Sequence, residues 1–297
     1  MALNKKVFVI IVTYNGSKWI EKCINSLLHS TYPIDIVVID NCSTDDSIEL
    51  FKQFPEVHLI QSKENLGFGK ANNIGIDYAL KNNADYVFLL NQDTWIFDDT
   101  ILNLVAVVQK NSSFGIVSPM HFSGDEKTLD EGFVTYYNRK IEVNSNENIV
   151  NVSFVNAAAW LVSSACLRKV GGFEPLFGHY GEDRNYCDRV LYHQFQIVIA
   201  ENAKICHDRK ITRSFKKDLI QSKYRILSQV LDINNTLFSS YTNALKSVFG
   251  LPKYFKKSYS FASIVKLFYN LAIYYVQLVF RMRIIKISRK KSMTYVK

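Results

Sequence analysis

Residues 7–108 alternate between short runs rich in Val and Ile and longer segments with helical spacing. Few other patterns restrict the available folds so strongly. Val7–Thr13, Ile36–Ile39, Val57–Ile60 and Tyr86–Leu90 read as strands. Between them, Ser17 is placed to cap a helix with Ile20, Cys23, Ile24, Leu27 and Leu28 at helical intervals. Ile48–Phe54, Phe68–Leu80 and Ile101–Val108 read as further helices. The strand runs are apolar throughout rather than alternating, which predicts burial on both faces. The expected class is therefore α/β, a mainly parallel sheet flanked by helices. After Gly115 the rhythm loosens. Segment 121–151 is expected to form loops and short strands that contribute to an acceptor wall. Further on, a helix near Ser164–Val170 stops at Gly171-Gly172, residues 182–193 suit a helix, and Ile197–Ala200 reads as a last strand.

Lys5 and Lys6 precede an apolar run, Val7–Val12, that is too short for a signal-peptide core. Five cysteines (Cys23, Cys42, Cys166, Cys187, Cys206) are scattered without a CxxC pair. They suggest neither a zinc site nor a disulfide framework, and unpaired thiols suit a cytoplasmic protein.

The polar residues gather where the predicted strands end. Thr13-Tyr14-Asn15-Gly16 closes the first strand and Asp40-Asn41 the second. The fourth, Tyr86–Leu90, runs into Asn91-Gln92-Asp93. Carboxyl ends of parallel strands are where ligands bind. A carboxylate there can hold a divalent cation and, through it, a diphosphate. No G-x-G-x-x-G fingerprint follows the first strand, which counts against a dinucleotide-dependent oxidoreductase. Considered by itself, Asp40-Asn41 is equally a helix-capping turn.

The elements Thr13-Tyr14-Asn15, Asp40-Asn41-Cys42-Ser43, Glu64-Asn65-Leu66-Gly67-Phe68-Gly69, Asn72-Asn73-x-Gly75, Asn91-Gln92-Asp93 and Gly181-Glu182-Asp183 follow one another along the chain. In that order they resemble family 2 glycosyltransferases, most of all the bacterial rhamnosyltransferase-like branch, over roughly residues 5–215. The resemblance implies a GT-A fold: a Rossmann-like nucleotide-binding domain joined to an acceptor-binding half. It also implies transfer with inversion at the anomeric carbon.

Site roles follow from the same resemblance. Thr13, Tyr14 and Asp40 would line the nucleoside pocket, and Asn15 would also contact the donor. Asn65, Gly67 and Asn73, with Asn91 and Gln92, would shape the donor site. Asn91-Gln92-Asp93 occupies the place of the family's Asp-x-Asp motif, but its first member is an amide, so Asp93 alone supplies a carboxylate. Mg²⁺ or Mn²⁺ is the implied cofactor, with His207 a second metal or phosphate contact or else a structural histidine. Asp183 would take the proton from the acceptor hydroxyl, and Glu182 would bind the acceptor, although the two neighbours could exchange roles. Both would otherwise simply cap a helix. Trp160, Phe177 and Tyr180 are aromatic platforms for sugar rings, and core packing accounts equally for Trp160.

The net charge of +9 is unevenly distributed. The last acidic residue is Asp232, and residues 233–297 contain 12 Lys or Arg. Subtracting those 12 from the 36 in the chain leaves 24 basic against 27 acidic residues elsewhere. Residues 1–215 are expected to form the catalytic domain and 216–297 a helical, basic and aromatic extension. Phe261–Phe280 is long enough to raise the question of a membrane span, but Ser263, Lys266, Asn270, Gln277 and Arg281 fall on one narrow stripe. An in-plane helix on an anionic membrane surface is expected, with a helix packed on the catalytic domain as the alternative.

The reading is an inverting glycosyltransferase that uses a nucleotide-sugar donor and a glycan acceptor. The acceptor is lipid-linked, as in bacterial surface polysaccharide assembly. The enzyme is then peripheral on the inner face of the cell membrane. A nucleotidyltransferase lacks support because no early Gly-rich, Lys/Arg-bearing loop is present. A non-catalytic glycan- or nucleotide-binding protein on a degenerate scaffold is the alternative that Asn91 leaves open. No nucleic-acid partner is expected, because the basic residues are interleaved with apolar ones.

Overall fold

The computed structural model describes residues 5–138, 141–144, 148–209 and 212–294. Parts of the expected acceptor wall (139–140 and 145–147) and Lys297 lie outside the described residues. The first half gives β1 (Val7–Thr13), α1 (Ser17–Leu28), β2 (Ile34–Asp40), α2 (Ser47–Phe51), β3 (Val57–Gln61), α3 (Phe68–Lys81), β4 (Tyr86–Asn91), β5 (Thr94–Ile96) and α4 (Thr100–Val108). Next come β6 (Phe114–Ser123), α5 (Glu131–Tyr137), β7 (Glu142–Asn144), β8 (Ile149–Val152), β9 (Ala159–Ser163), α6 (Ser164–Val170), α7 (Glu182–Tyr192) and β10 (Gln196–His207). Four helices follow: α8 (Phe215–Leu231), α9 (Leu237–Phe255), α10 (Phe261–Phe280) and α11 (Met282–Thr294).

The strands form one sheet in the order β3-β2-β1-β4-β9-β6-β10-β8-β7, with β5 paired to β10. β1 pairs in parallel with both β2 and β4, β2 with β3, and β6 with β10. β9 is antiparallel between β4 and β6. The expected mainly parallel α/β architecture is therefore present. Strand order reverses at β1, and the carboxyl ends of strands at such a reversal are where open α/β sheets bind ligands.

Side-chain alternation divides the core between the two faces of the sheet. Val7, Val9 and Ile11 of β1 pack with Ile20, Ile24 and Leu27 of α1. Phe8 and Ile10 pack with Ala71, Ile76 and Ala79 of α3. A Cβ on Gly75 would stand 2.3 Å from Ile10 Cγ2, so the close approach of α3 to β1 requires glycine.

Two expectations change. The strand expected at Ile197–Ala200 runs on to His207. Its register against β6 shifts between Ala200 and Lys204. The polar Glu201–Lys204 stretch interrupts the apolar pattern without ending the pairing, as a bulge does. Segment 121–151 is also more ordered than expected. It contains the end of β6, helix α5 and the β7–β8 hairpin, all but β6 too short to show a period.

Helices α8 to α11 build a third apolar cluster, which also takes in Phe177. Buried Arg289 of α11 ties it together. Its guanidinium donates to the carbonyls of Val230 (3.0 Å), Asp232 (2.5 Å) and Asn235 (2.6 Å) and to Ser240 Oγ (3.1 Å). The carbonyls of Val230 and Asp232, at the end of α8, would otherwise be left unsatisfied.

Candidate active site

The turns after β1, β2 and β3 are stitched together by side chains. Asn15, in a left-handed conformation (φ 49°), donates its N–H to Ser43 Oγ (3.0 Å) and accepts from Thr44 N–H on Oδ1 (2.8 Å). Asp40 is buried, and both its oxygens accept from Ser43 N–H at 3.3 Å. Asn41 accepts from Leu66 N–H (2.8 Å) and donates to Asn65 Oδ1 (3.0 Å), which also takes Gly67 N–H (3.0 Å). Thr13 is buried in this frame, and Tyr14 stands exposed at its rim.

Gln92 joins the frame to the end of β4. Its Oε1 accepts from the Thr13 hydroxyl (2.8 Å) and from Tyr14 N–H (2.9 Å), while its Nε2 donates to Tyr14 O (3.3 Å). Both ends of this amide are committed to the protein. Gln92 therefore fixes the turn after β1 instead of reaching outward. Asn91 and Asp93 on either side remain partly exposed.

β5 leaves Asp93 directly and pairs antiparallel with the end of β10, with Thr94 opposite His207. Asp208 N–H donates to Asp93 O at 2.8 Å. This pairing brings His207 Nε2 to 3.3 Å from Asp93 Oδ1. Two ligand atoms so spaced match neighbouring positions around Mg²⁺, where bonds of ~2.0–2.1 Å put adjacent ligands about 3 Å apart. Among the described residues no set of three or more His, Cys, Asp or Glu side chains converges on a point. Asp93 and His207 thus offer two ligands, and a diphosphate or water must fill the other positions, as hard cations allow. The pair fits a phosphate-bound Mg²⁺ or Mn²⁺ rather than a closed protein site.

Behind this pair lies a buried polar cluster that the sequence did not reveal. Asp130 caps α5 by accepting Phe133 N–H (2.8 Å) and holds Arg209 by two bonds (2.9 and 2.6 Å). Burial alone would raise the Asp130 carboxyl, but Arg209 outweighs it and keeps the group below its ordinary range. Asp130 Oδ2 is 3.9 Å from His207 Nδ1, which has no hydrogen-bond partner among the described residues. His121 is stacked on Phe133 and hydrogen-bonded to Ser118 Oγ (3.1 Å), and burial keeps it neutral. Arg209 lies two residues beyond His207, and that i, i+2 spacing was the available signal. Asp130 carried only a capping signal.

Glu182 and Asp183 open α7 after two left-handed residues, Tyr180 (φ 79°) and Gly181 (φ 88°). Glu182 is buried, and its Oε2 has no hydrogen-bond partner among the described residues. Burial first, and the neighbouring Asp183 charge second, push its carboxyl up to about 7. Burial also raises Asp183, although Arg184 N–H donates to its Oδ1 at 2.7 Å. The Arg209 guanidinium lies within electrostatic reach of both Asp93 and Asp183. Arg209 itself is bonded to Asp130, and its charge only lowers Asp183 slightly against the effect of burial.

The loop before α7 touches this frame of turns. A Cβ on Gly67, itself at φ 77°, would meet Gly178 O at 2.1 Å. Tyr180 is partly buried beside Lys217 Nζ, 5.9 Å above its ring, and remains at the rim. Tyr224 OH, from α8, accepts Gly178 N–H at 3.0 Å, so the helical layer braces this loop.

Three expected contacts are corrected. Trp160 is fully buried, stacked on Phe173 and tilted against Tyr186, and is unavailable to an acceptor. Phe177 is buried against Tyr224. Asn73 uses both ends of its amide on the backbone of Phe173, at 2.7 and 2.9 Å, and fixes the Gly171–Phe173 turn rather than the donor.

Comparison with known proteins agrees with this architecture. The chain is 28% identical over 216 residues to the glycosyltransferase GlyA of Streptococcus pneumoniae, covering 69% of this chain but only 30% of GlyA. It is 27% identical over 218 residues to the dTDP-rhamnosyl transferase RfbF of Shigella flexneri, covering 69% of this chain and 70% of RfbF. The mannosyltransferase PcManGT of Pyrobaculum calidifontis, solved with GDP-Man and Mn²⁺, superposes with a TM-score of 0.61 at 16% identity, over 98% of this chain and 88% of its own. That likeness establishes a shared GT-A fold. The model of glycosyl transferase family 2 matches residues 8–166, more than half of the sequence, and the chain belongs to that family.

Proposed function

We propose that the protein is an inverting, metal-dependent hexosyltransferase that moves a sugar from a nucleotide donor to a lipid-linked glycan in bacterial surface polysaccharide assembly. The observation that carries this reading is the Asp93–His207 pair, brought to 3.3 Å at the end of β4 by the β5–β10 pairing. Two features support it: the name of the relative RfbF and the Mn²⁺ in PcManGT.

The chemistry divides among these groups. The turns held by Gln92, Asn41 and Asn65 receive the nucleoside, with the Tyr14 ring at the rim. Bound Mg²⁺ or Mn²⁺, held by Asp93 and His207, would neutralise charge on the departing diphosphate. Asp183 orients the acceptor hydroxyl and takes its proton as the oxygen attacks the anomeric carbon, whose bond to the diphosphate breaks on the opposite side. Its burial raises its basicity above that of a free aspartate. Glu182, its carboxyl raised to about 7 by burial, keeps a proton on about half of the molecules near neutrality and in that form is suited to donate a hydrogen bond to a sugar hydroxyl.

A donor screen tests the proposal. Full-length protein is incubated with a panel of nucleotide sugars and Mn²⁺, and released nucleoside diphosphate is measured. One donor is expected to turn over, slowly without acceptor and faster with a lipid-linked glycan. Glycan binding without turnover of any donor would favour a binding protein instead. Five unpaired cysteines fit the proposed location at the inner, cytoplasmic face of the membrane.

A further inference from the structure

Helix α10 meets three different surroundings around its circumference. At 100° per residue, Leu267, Leu271 and Leu278 form a buried face against the bundle. Lys266, Asn270 and Gln277 form a polar strip beside it. A soluble helix would carry polar residues on the remaining arc of about 120°. This one carries Phe261, Val265, Tyr269, Ile273, Val276 and Phe280, exposed by 84, 36, 62, 59, 50 and 85%.

The stripe runs about 30 Å, the length of a 20-residue helix. Basic residues mark both ends. Exposed Lys253, Lys256 and Lys257 precede it, and Arg281, Arg283 and Lys286 follow. No acidic residue occurs beyond Asp232.

By length and composition α10 could cross a bilayer, yet its packing keeps it beside one body. At its start, Tyr259 OH donates to Asp218 Oδ2 (2.6 Å) and Ser258 Oγ accepts from Arg213 (3.1 Å), near the beginning of α8. In its middle, Phe268 packs on Phe249 of α9. At its end, Leu278 O accepts from Tyr241 OH (2.9 Å). The next helix, α11, is fastened to the catalytic half by Ser288 Oγ to Glu174 Oε2 (2.5 Å) and by Ser292 O to His193 Nε2 (2.8 Å). Crossing would drag α8 and α9, with their charged residues, into hydrocarbon.

From this geometry we propose that the outward face of α10 is a docking surface for an anionic lipid membrane, on which the helix lies in the interfacial plane without spanning. The apolar stripe enters the headgroup–acyl boundary, and the basic ends meet anionic headgroups. A second copy of the chain is a poorer occupant. An isologous dimer through this face would bring like-charged ends together with no carboxylate to offset them. The inference does not depend on the transferase reading, since a bound protein with no donor turnover would still support it.

The test is flotation of the full-length protein with vesicles of phosphatidylcholine alone or mixed with phosphatidylglycerol, at low and high salt. Binding is expected only to the mixed vesicles and should weaken with salt. The double variant Tyr269→Glu, Ile273→Glu should lose at least tenfold in partitioning, with unchanged melting temperature and donor turnover. Because surface lysines do not hold the fold, Lys253→Gln, Lys256→Gln and Lys257→Gln form the second arm, each expected to cost about fivefold. Three results would overturn the proposal: no binding to mixed vesicles, equal binding to both vesicle types, or a solution dimer that the double variant dissociates.

Discussion

Glu182 offers a prediction that can be worked from the structure to a number. Its carboxyl is buried, has no hydrogen-bond partner on Oε2 among the described residues and sits next to Asp183; burial first, and that neighbouring charge second, raise its pKa from the ordinary 4.5 to about 7. A raised acid pKa means that the folded state holds a proton the unfolded chain has released. The stabilisation is complete below about 4.5 and is lost as pH rises toward about 7. The rise from 4.5 to about 7 corresponds to ~3 kcal/mol at about 1.36 kcal/mol per tenfold change in proton affinity. Glu182→Gln keeps the shape and removes the titration. At pH 8 it should therefore be the more stable protein by about 3 kcal/mol, and at pH 4 the two should match. With an unfolding entropy of roughly 0.6 kcal/mol/K for a chain of this size, the difference is about 5 °C in Tm. Thermal melts from pH 4 to 9 measure it. Parallel curves for the two proteins, or a variant that melts lower at pH 8, would refute the reasoning.

Three further outcomes are expected. Asp183→Asn should cut donor transfer by about 10²- to 10⁴-fold with the fold intact, and the wild-type rate should fall as pH drops through the raised Asp183 pKa; an unchanged rate would move the base elsewhere. Gln92→Ala strands Thr13 Oγ1 and Tyr14 N–H, so it should cost roughly 1–3 kcal/mol and raise the donor KM more than it lowers kcat; an unaltered KM in steady-state kinetics contradicts that. Arg289→Met removes the donor to the Val230 and Asp232 carbonyls at the end of α8 and to the Asn235 carbonyl before α9, and calorimetry should show a loss of ~3 kcal/mol or more.

Apolar runs such as Val7–Val12 and Tyr86–Leu90 were legible as strands because burial on both faces leaves no polar position in the pattern. The polar triplets at their ends were legible because strands stop where apolar residues stop. The Asp130–Arg209 pair was not legible. Its members are 79 residues apart, joined only because β6 and β10 are neighbours. His207 reaches Asp93 through β5, a strand of three residues that carries no period of its own. Trp160 shows the opposite failure. A large aromatic beside a polar loop suits a sugar platform or a core, and the sequence does not say that Phe173 and Tyr186 will cover it. Gln92 was recognised by position but not by task, because the amide turns inward to Thr13 and Tyr14.

The central claim is that Asp93 holds the nucleoside diphosphate through a cation while Asp183 performs the proton transfer in the same cleft. Titration calorimetry of the donor's nucleoside diphosphate in the presence of Mn²⁺, paired with donor turnover, separates the two roles. Asp93→Ala should lose Mn²⁺-dependent binding, and Asp183→Asn should bind as the wild type does without turning over. Full turnover by Asp183→Asn, or undiminished Mn²⁺-dependent binding by Asp93→Ala, would contradict the account.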